Sequence, residues 1–142
     1  MEIIKTKEFW YFLIPVLLTL IIYFVDKSLK AERKHLLILF KSNQTLSKRI
    51  QGKLRDFIEE FDAANAIAFP ERNVTYGTCL ELMSEEYKSN LSEESYEFLK
   101  NGKIPKPTLL SMSDSLNKQN EALRLIDIDI NLVIKKARDG RI

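Results

Sequence analysis

From Phe9 to Val25 the chain carries no charged side chain, and a cluster of lysine and arginine follows directly. A helix that is apolar all round has to be buried in a large core or in a membrane, so this run constrains the chain more than any other feature. Its seventeen residues rise roughly 25 Å as a helix, slightly less than the roughly 30 Å hydrocarbon core of a bilayer. Trp10, Tyr11 and Tyr23 lie near its ends, where amphipathic rings suit the headgroup layer, and Lys7 and Lys27 can snorkel outward. A cleaved signal peptide needs a small-residue cleavage site soon after the run, and "VDKSLKAER" offers none. Residues 1–26 therefore predict an uncleaved, single-pass transmembrane anchor. Pro15 lies inside it, as a tolerated kink or a packing site.

Lys5 and Lys7 precede the run, whereas Lys27, Lys30, Arg33, Lys34 and Lys41 follow it. Two against five favours a cytoplasmic C-terminal domain. Lys27, Lys30, Arg33 and Lys34 form a basic juxtamembrane collar over residues 27–35, each worth about 1 kcal/mol of attraction to an anionic leaflet. Three Asn-x-Ser/Thr triplets, at Asn43, Asn73 and Asn90, would matter only for a luminal domain.

Residues 36–142 read as helices over about 36–66, 78–89, 92–101 and 108–139. Leu39, Asn43, Leu46 and Ile50 repeat at helical spacing, and Leu54, Phe57 and Phe61 resume the pattern after a one-residue break at Gly52. Without a proline between Pro15 and Pro70, the anchor is expected to continue into this helix as one rod, which "FPERNVTYG" ends. Near the C-terminus Leu109, Met112, Leu116, Gln119, Leu123, Ile126, Ile130, Val133 and Ala137 repeat at three and four, as in a coiled-coil seam. Ser92 is placed to cap a short helix that Asn101-Gly102 stops. The expected class is all-α: an anchor and long helix followed by a small antiparallel bundle. Run out, back, out and back, the last helix would carry Lys135, Lys136, Arg138 and Arg141 to the collar.

Charge falls in blocks of +6 over residues 26–56, −7 over 57–100 and +3 over 101–142; with zero from residues 1–25 these give the overall +2. That balance indicates neither nucleic acid nor acidic substrates as partners. The chain also lacks convergent chemistry. His35 is the only histidine, so Glu32 and His35 cannot be completed into a di-iron site, and Cys79 has no histidine near it in sequence. Asp127 and Asp129 point about 200° apart on a helix, and there is no glycine-rich phosphate loop. No enzyme activity, metal or cofactor is expected. The leading expectation is a membrane-anchored helical interaction protein, a subunit, scaffold or adaptor whose partners are the bilayer with its anionic lipid and a protein or a second copy. Its seam candidates are Asn43, Leu46, Ile50, Leu54, Phe57, Phe61, Leu116, Leu123, Ile126, Ile130 and Val133. A sensory input module and an envelope lysis or exclusion factor are the alternatives.

Overall fold

The computed structural model describes residues 7–140, with side chains placed for residues 14–25 and 27–140. Phe9, Trp10 and Tyr11, expected near the outer end of an anchor, therefore have no described side chains, and Lys5 and Arg141 lie outside the described residues. The chain is mostly helical, about 85%, so the class follows the expectation apart from one small hairpin. Helix α1 runs unbroken over Lys7–Phe61, 55 residues, or roughly 80 Å at helical rise. It passes through Pro15, and Thr19 donates from Oγ1 to the Pro15 carbonyl at 2.9 Å. Asp62, in the left-handed region at φ 48°, ends it five residues before the expected stop near Ala66.

Strands β1 (Ile67–Phe69) and β2 (Val74–Thr75) then pair antiparallel around a single turn of 3₁₀ helix, with Asn73 at φ 53° turning the chain. Sequence periodicity cannot mark strands this short. Helix α2 (Tyr76–Asn90) is capped by Thr75, whose side chain accepts from the Thr78 N–H. Helix α3 (Glu93–Asn101) is capped by Ser92, which accepts from Ser95. Gly102 stops α3 with an extended backbone, and a Cβ there would lie 2.5 Å from the Phe98 carbonyl oxygen. Helix α4 covers Lys106–Arg138.

The direction of α4 corrects the expected layout. Its hydrogen bonds to α1 join residues at a nearly constant separation: 78 for Ser28 and Lys106, 77 for Asn43 and Asn120, 78 for Lys53 and Asn131. A constant separation means that α1 and α4 run parallel and in register. By contrast, the separation between α1 and the middle helices widens from 47 for Gln44–Leu91 to 66 for Arg33–Leu99, which is antiparallel. Helices α2 and α3 thus form one return leg, bent at Leu91 but not reversed. Leu91 is buried and Ser92 starts the next helix at once. The path is out, back and out, so the bundle is not wholly antiparallel. Lys135, Lys136 and Arg138 lie at the distal end, where Arg138 stands 3.6 Å from Glu60, and they do not join the collar.

Packing against two legs also widens the buried face of α1. Leu36, Phe40, Asn43, Ser47, Ile50, Leu54 and Phe57 are all buried, in steps of four and three with no break at Gly52. Leu46, Gln44 and Gln51 are buried beside them, while Leu39 is only half-buried. The apparent heptad break arises from placing Leu46 in a slot that Ser47 occupies.

Two glycines test this packing with opposite signs. A Cβ at Gly52 meets nothing within 4 Å, whereas one at Gly77 would lie 2.9 Å from the Ala64 backbone oxygen. Gly52→Ala is expected to stabilise the fold by about 0.5–1 kcal/mol through helix propensity. Gly77→Ala should destabilise it by about 1 kcal/mol or more through the forced shift of α2. Thermal unfolding of both variants checks the pair.

Candidate functional site

Two apolar clusters fill the bundle. The proximal one, nearest the N-terminal run, holds Leu36, Phe40, Leu91, Leu99, Ile104 and Leu109. The distal one holds Leu46, Ile50, Leu54, Cys79, Met83, Leu123 and Ile130. A polar layer separates them. Asn43 is 0% exposed and donates from Nδ2 to the Leu116 carbonyl at 2.9 Å and to Gln119 Oε1 at 3.0 Å. Asn120 donates from its own Nδ2 to Asn43 Oδ1 at 2.7 Å. On the other side Gln44 donates to the Leu91 carbonyl at 2.6 Å and to Glu93.

This layer sets the register between the helices. Sliding α4 by one heptad, roughly 10 Å, would part Asn120 from Asn43 and set it against Leu36 or Ile50, while Asn43 would face Ser113 or Asp127. The stranded Asn120 amide then costs about 1–3 kcal/mol. A facing asparagine pair in a parallel helix seam is a known register device, bought at some cost in stability. A glycan on Asn43 is incompatible with this burial, so its triplet cannot be used in the folded chain.

The remaining seam candidates are drawn together inside the one chain. Leu46, Ile50, Leu54, Phe57, Leu123 and Ile130 are buried. Leu116 and Ile126 pack against the clusters from half-buried positions, and Phe61 and Val133 are half-buried. Sequence reasoning missed Ser47, Ser113 and Asn120, because polar residues at inward positions interrupt an apolar count. Ser113 Oγ is buried without a hydrogen-bond partner among the described residues.

Ion pairs reinforce the parallel register. Asp127 receives Lys53 Nζ at 2.7 Å and Arg49 Nη2 at 3.1 Å, and Lys53 also reaches Asn131 at 3.0 Å. Burial pushes the Asp127 carboxyl up, but the bond and charge of Lys53, with Arg49 behind it, hold it below the usual carboxylate range. Asp129 is exposed, so the two aspartates share no site. Glu93 is likewise lowered, chiefly by its hydrogen bond from Lys41, whose ammonium also sits 4.1 Å over the Tyr96 ring.

At the proximal end Arg33 of the expected collar also makes contacts within the fold. Its Nη1 donates to the Leu99 carbonyl at 2.6 Å and to that of Lys100 at 3.4 Å, tying down the C-terminus of α3. A cation is favourable there because the helix dipole is negative at that end. Lys27, Lys30 and Lys34 are exposed. Cys79 is buried in the distal cluster, and desolvation pushes its thiol up, which lowers the thiolate fraction that reacts. A groove of about 240 Å³ beneath the hairpin, lined among others by Phe69, Cys79, Ile130 and Val133, is smaller than ordinary ligand pockets. No group of three or more His, Cys, Asp or Glu among the described residues has the geometry to hold a metal ion. Comparison with protein families, curated proteins and solved structures returns no match.

Two variants probe the layer and its ion pairs. Asn43→Ala leaves the Asn120 and Gln119 amides short of partners and should cost about 2–4 kcal/mol in denaturant unfolding. Asp127→Asn should cost about 1 kcal/mol at pH 7. The Asp127 contribution is present above its ordinary pKa of 3.8 and is lost as pH falls through the lower folded value. The stability gap between wild type and Asp127→Asn should therefore close below about pH 4.

Proposed function

We propose that this chain is a single-pass membrane-anchored interaction protein, with Phe9–Val25 as its span and the helical domain on the cytoplasmic side. The observation that carries this reading is the exposure of the described part of the run. Every residue from Ile14 to Val25 is exposed, and all are apolar except Pro15, Thr19 and the Tyr23 hydroxyl. A sleeve of that kind has to be covered, and lipid covers it without further protein. Residues 14–25 alone rise roughly 18 Å, and among the described residues no helix is long and apolar enough to cross a membrane. The span therefore includes Phe9–Leu13.

Since the seam is occupied within the chain, a protein partner or a second copy has to meet other side chains. Leu125, Ile128 and Leu132 are exposed along the outer face of α4, with Phe69 of the hairpin. The chemistry of the side chains supports binding in preference to catalysis.

Membranes from cells expressing the full chain test the reading. The protein should resist extraction by alkaline carbonate, and a reporter fused to its C-terminus should be active only in its cytoplasmic form. Release by carbonate removes the anchor, and activity of the exported form reverses the orientation. Cross-linking through Ile128→Cys should yield a species larger than the monomer. A monomer band under all conditions contradicts the partner contact.

A further inference from the structure

The parallel course of α4 brings a second basic segment to the proximal end. Lys100 at the end of α3, Lys103 on the turn that follows and Lys106 at the start of α4 are all exposed. Three contacts hold this turn at the level where α1 leaves the apolar run. Lys106 Nζ donates to Ser28 Oγ at 3.1 Å. Arg33 binds the Leu99 and Lys100 carbonyls. Ile104, in the middle of the turn, is buried in the proximal cluster. Ser28 lies three residues beyond Val25, roughly 5 Å along the helix axis. Lys106 thus sits within a Debye length, about 8 Å at physiological ionic strength, of the end of the run, and Lys100, bound through its carbonyl to Arg33, stands roughly 12 Å from it along the axis.

We propose that this turn is a second membrane contact, which docks the base of the domain onto an anionic lipid leaflet. The inference rests on the reading of Phe9–Val25 as a span. Charge decides the occupant. Residues 26–35 carry Lys27, Lys30, Arg33 and Lys34 against Asp26 and Glu32, net +2; residues 97–106 carry Lys100, Lys103 and Lys106 against Glu97, also net +2. The end that faces the leaflet therefore holds +4, while the return leg behind it is acidic. A span alone leaves a domain free to tilt about its exit point. A second contact beside the exit helix fixes the bundle axis near the membrane normal. Pro105 and Pro107 stiffen the turn that makes the contact.

The full chain, with Cys79→Ala and a nitroxide-quenchable fluorophore on Asn101→Cys, is reconstituted into vesicles of phosphatidylcholine with or without 30% phosphatidylserine. Headgroup-nitroxide lipid should quench the probe strongly only in the anionic vesicles, and 0.5 M salt should remove the difference. Three lysines near an anionic surface shift the docking equilibrium by about a hundredfold. Lys100, Lys103 and Lys106→Gln together should therefore abolish the lipid dependence while leaving carbonate resistance intact. Equal quenching in both vesicle types by a carbonate-resistant protein overturns the docking proposal alone. Release of the wild-type chain by carbonate overturns the span, and the docking proposal with it.

Discussion

The contact between Asn43 and Asn120 is the interaction on which the rest of the structure depends. Apolar seams tolerate sliding, because one leucine layer packs much like the next. A buried amide pair does not, since either partner moved into an apolar layer loses its hydrogen bonds. With Asn43 at 0% exposure and bonded to Leu116, Gln119 and Asn120, α4 has one low-energy position along α1. From that position follow the Asp127 pairing with Arg49 and Lys53, the Glu60–Arg138 contact and the seating of Lys106 on Ser28. The same layer divides the core into its proximal and distal clusters.

Parallel packing of α1 and α4 has a consequence for how the domain meets its surroundings. The turn before α4 lies at the base, next to the apolar run, and the hairpin and both long-helix C-termini lie at the far end. Basic residues are thereby sorted. Lys100, Lys103 and Lys106 gather at the base with Lys27, Lys30 and Lys34, whereas Lys135, Lys136 and Arg138 lie at the far end, where Arg138 pairs with Glu60. Basic long and acidic short helices meet directly where Lys41 of α1 pairs with Glu93 of α3. The base remains positive.

Much of this was legible in the residues. Helix positions follow from spacing, caps and stops: Ser92 caps α3 and Gly102 ends it. Asn43 stood out as a polar residue in an inward slot. The direction of α4 was not legible, because nothing local distinguishes a bend at Leu91-Ser92 from a reversal; only the long-range pairing of α1 with α4 decides it. Ser47, Ser113 and Asn120 escaped for a different reason. Packing by two legs buries a face wider than a two-helix stripe, so polar residues beside the stripe become core, and Ser47 displaces Leu46 from the regular step. Arg33 read as a free surface cation, since its partners are backbone carbonyls 66 and 67 residues away.

The most direct measurement of the account is a pair of spin-label distances in the lipid-reconstituted chain, between residues 31 and 108 and between residues 55 and 132. Parallel helices in register place both pairs on neighbouring turns, so both distances should be short, about 20 Å or less with label linkers on axes 8–10 Å apart. An antiparallel α4 can keep at most one pair short. Moving twenty-four residues up one helix and twenty-four down the other changes the axial offset between the pairs by about 70 Å, so at least one pair would lie about 30 Å or more apart, and that result would contradict the structure's central register.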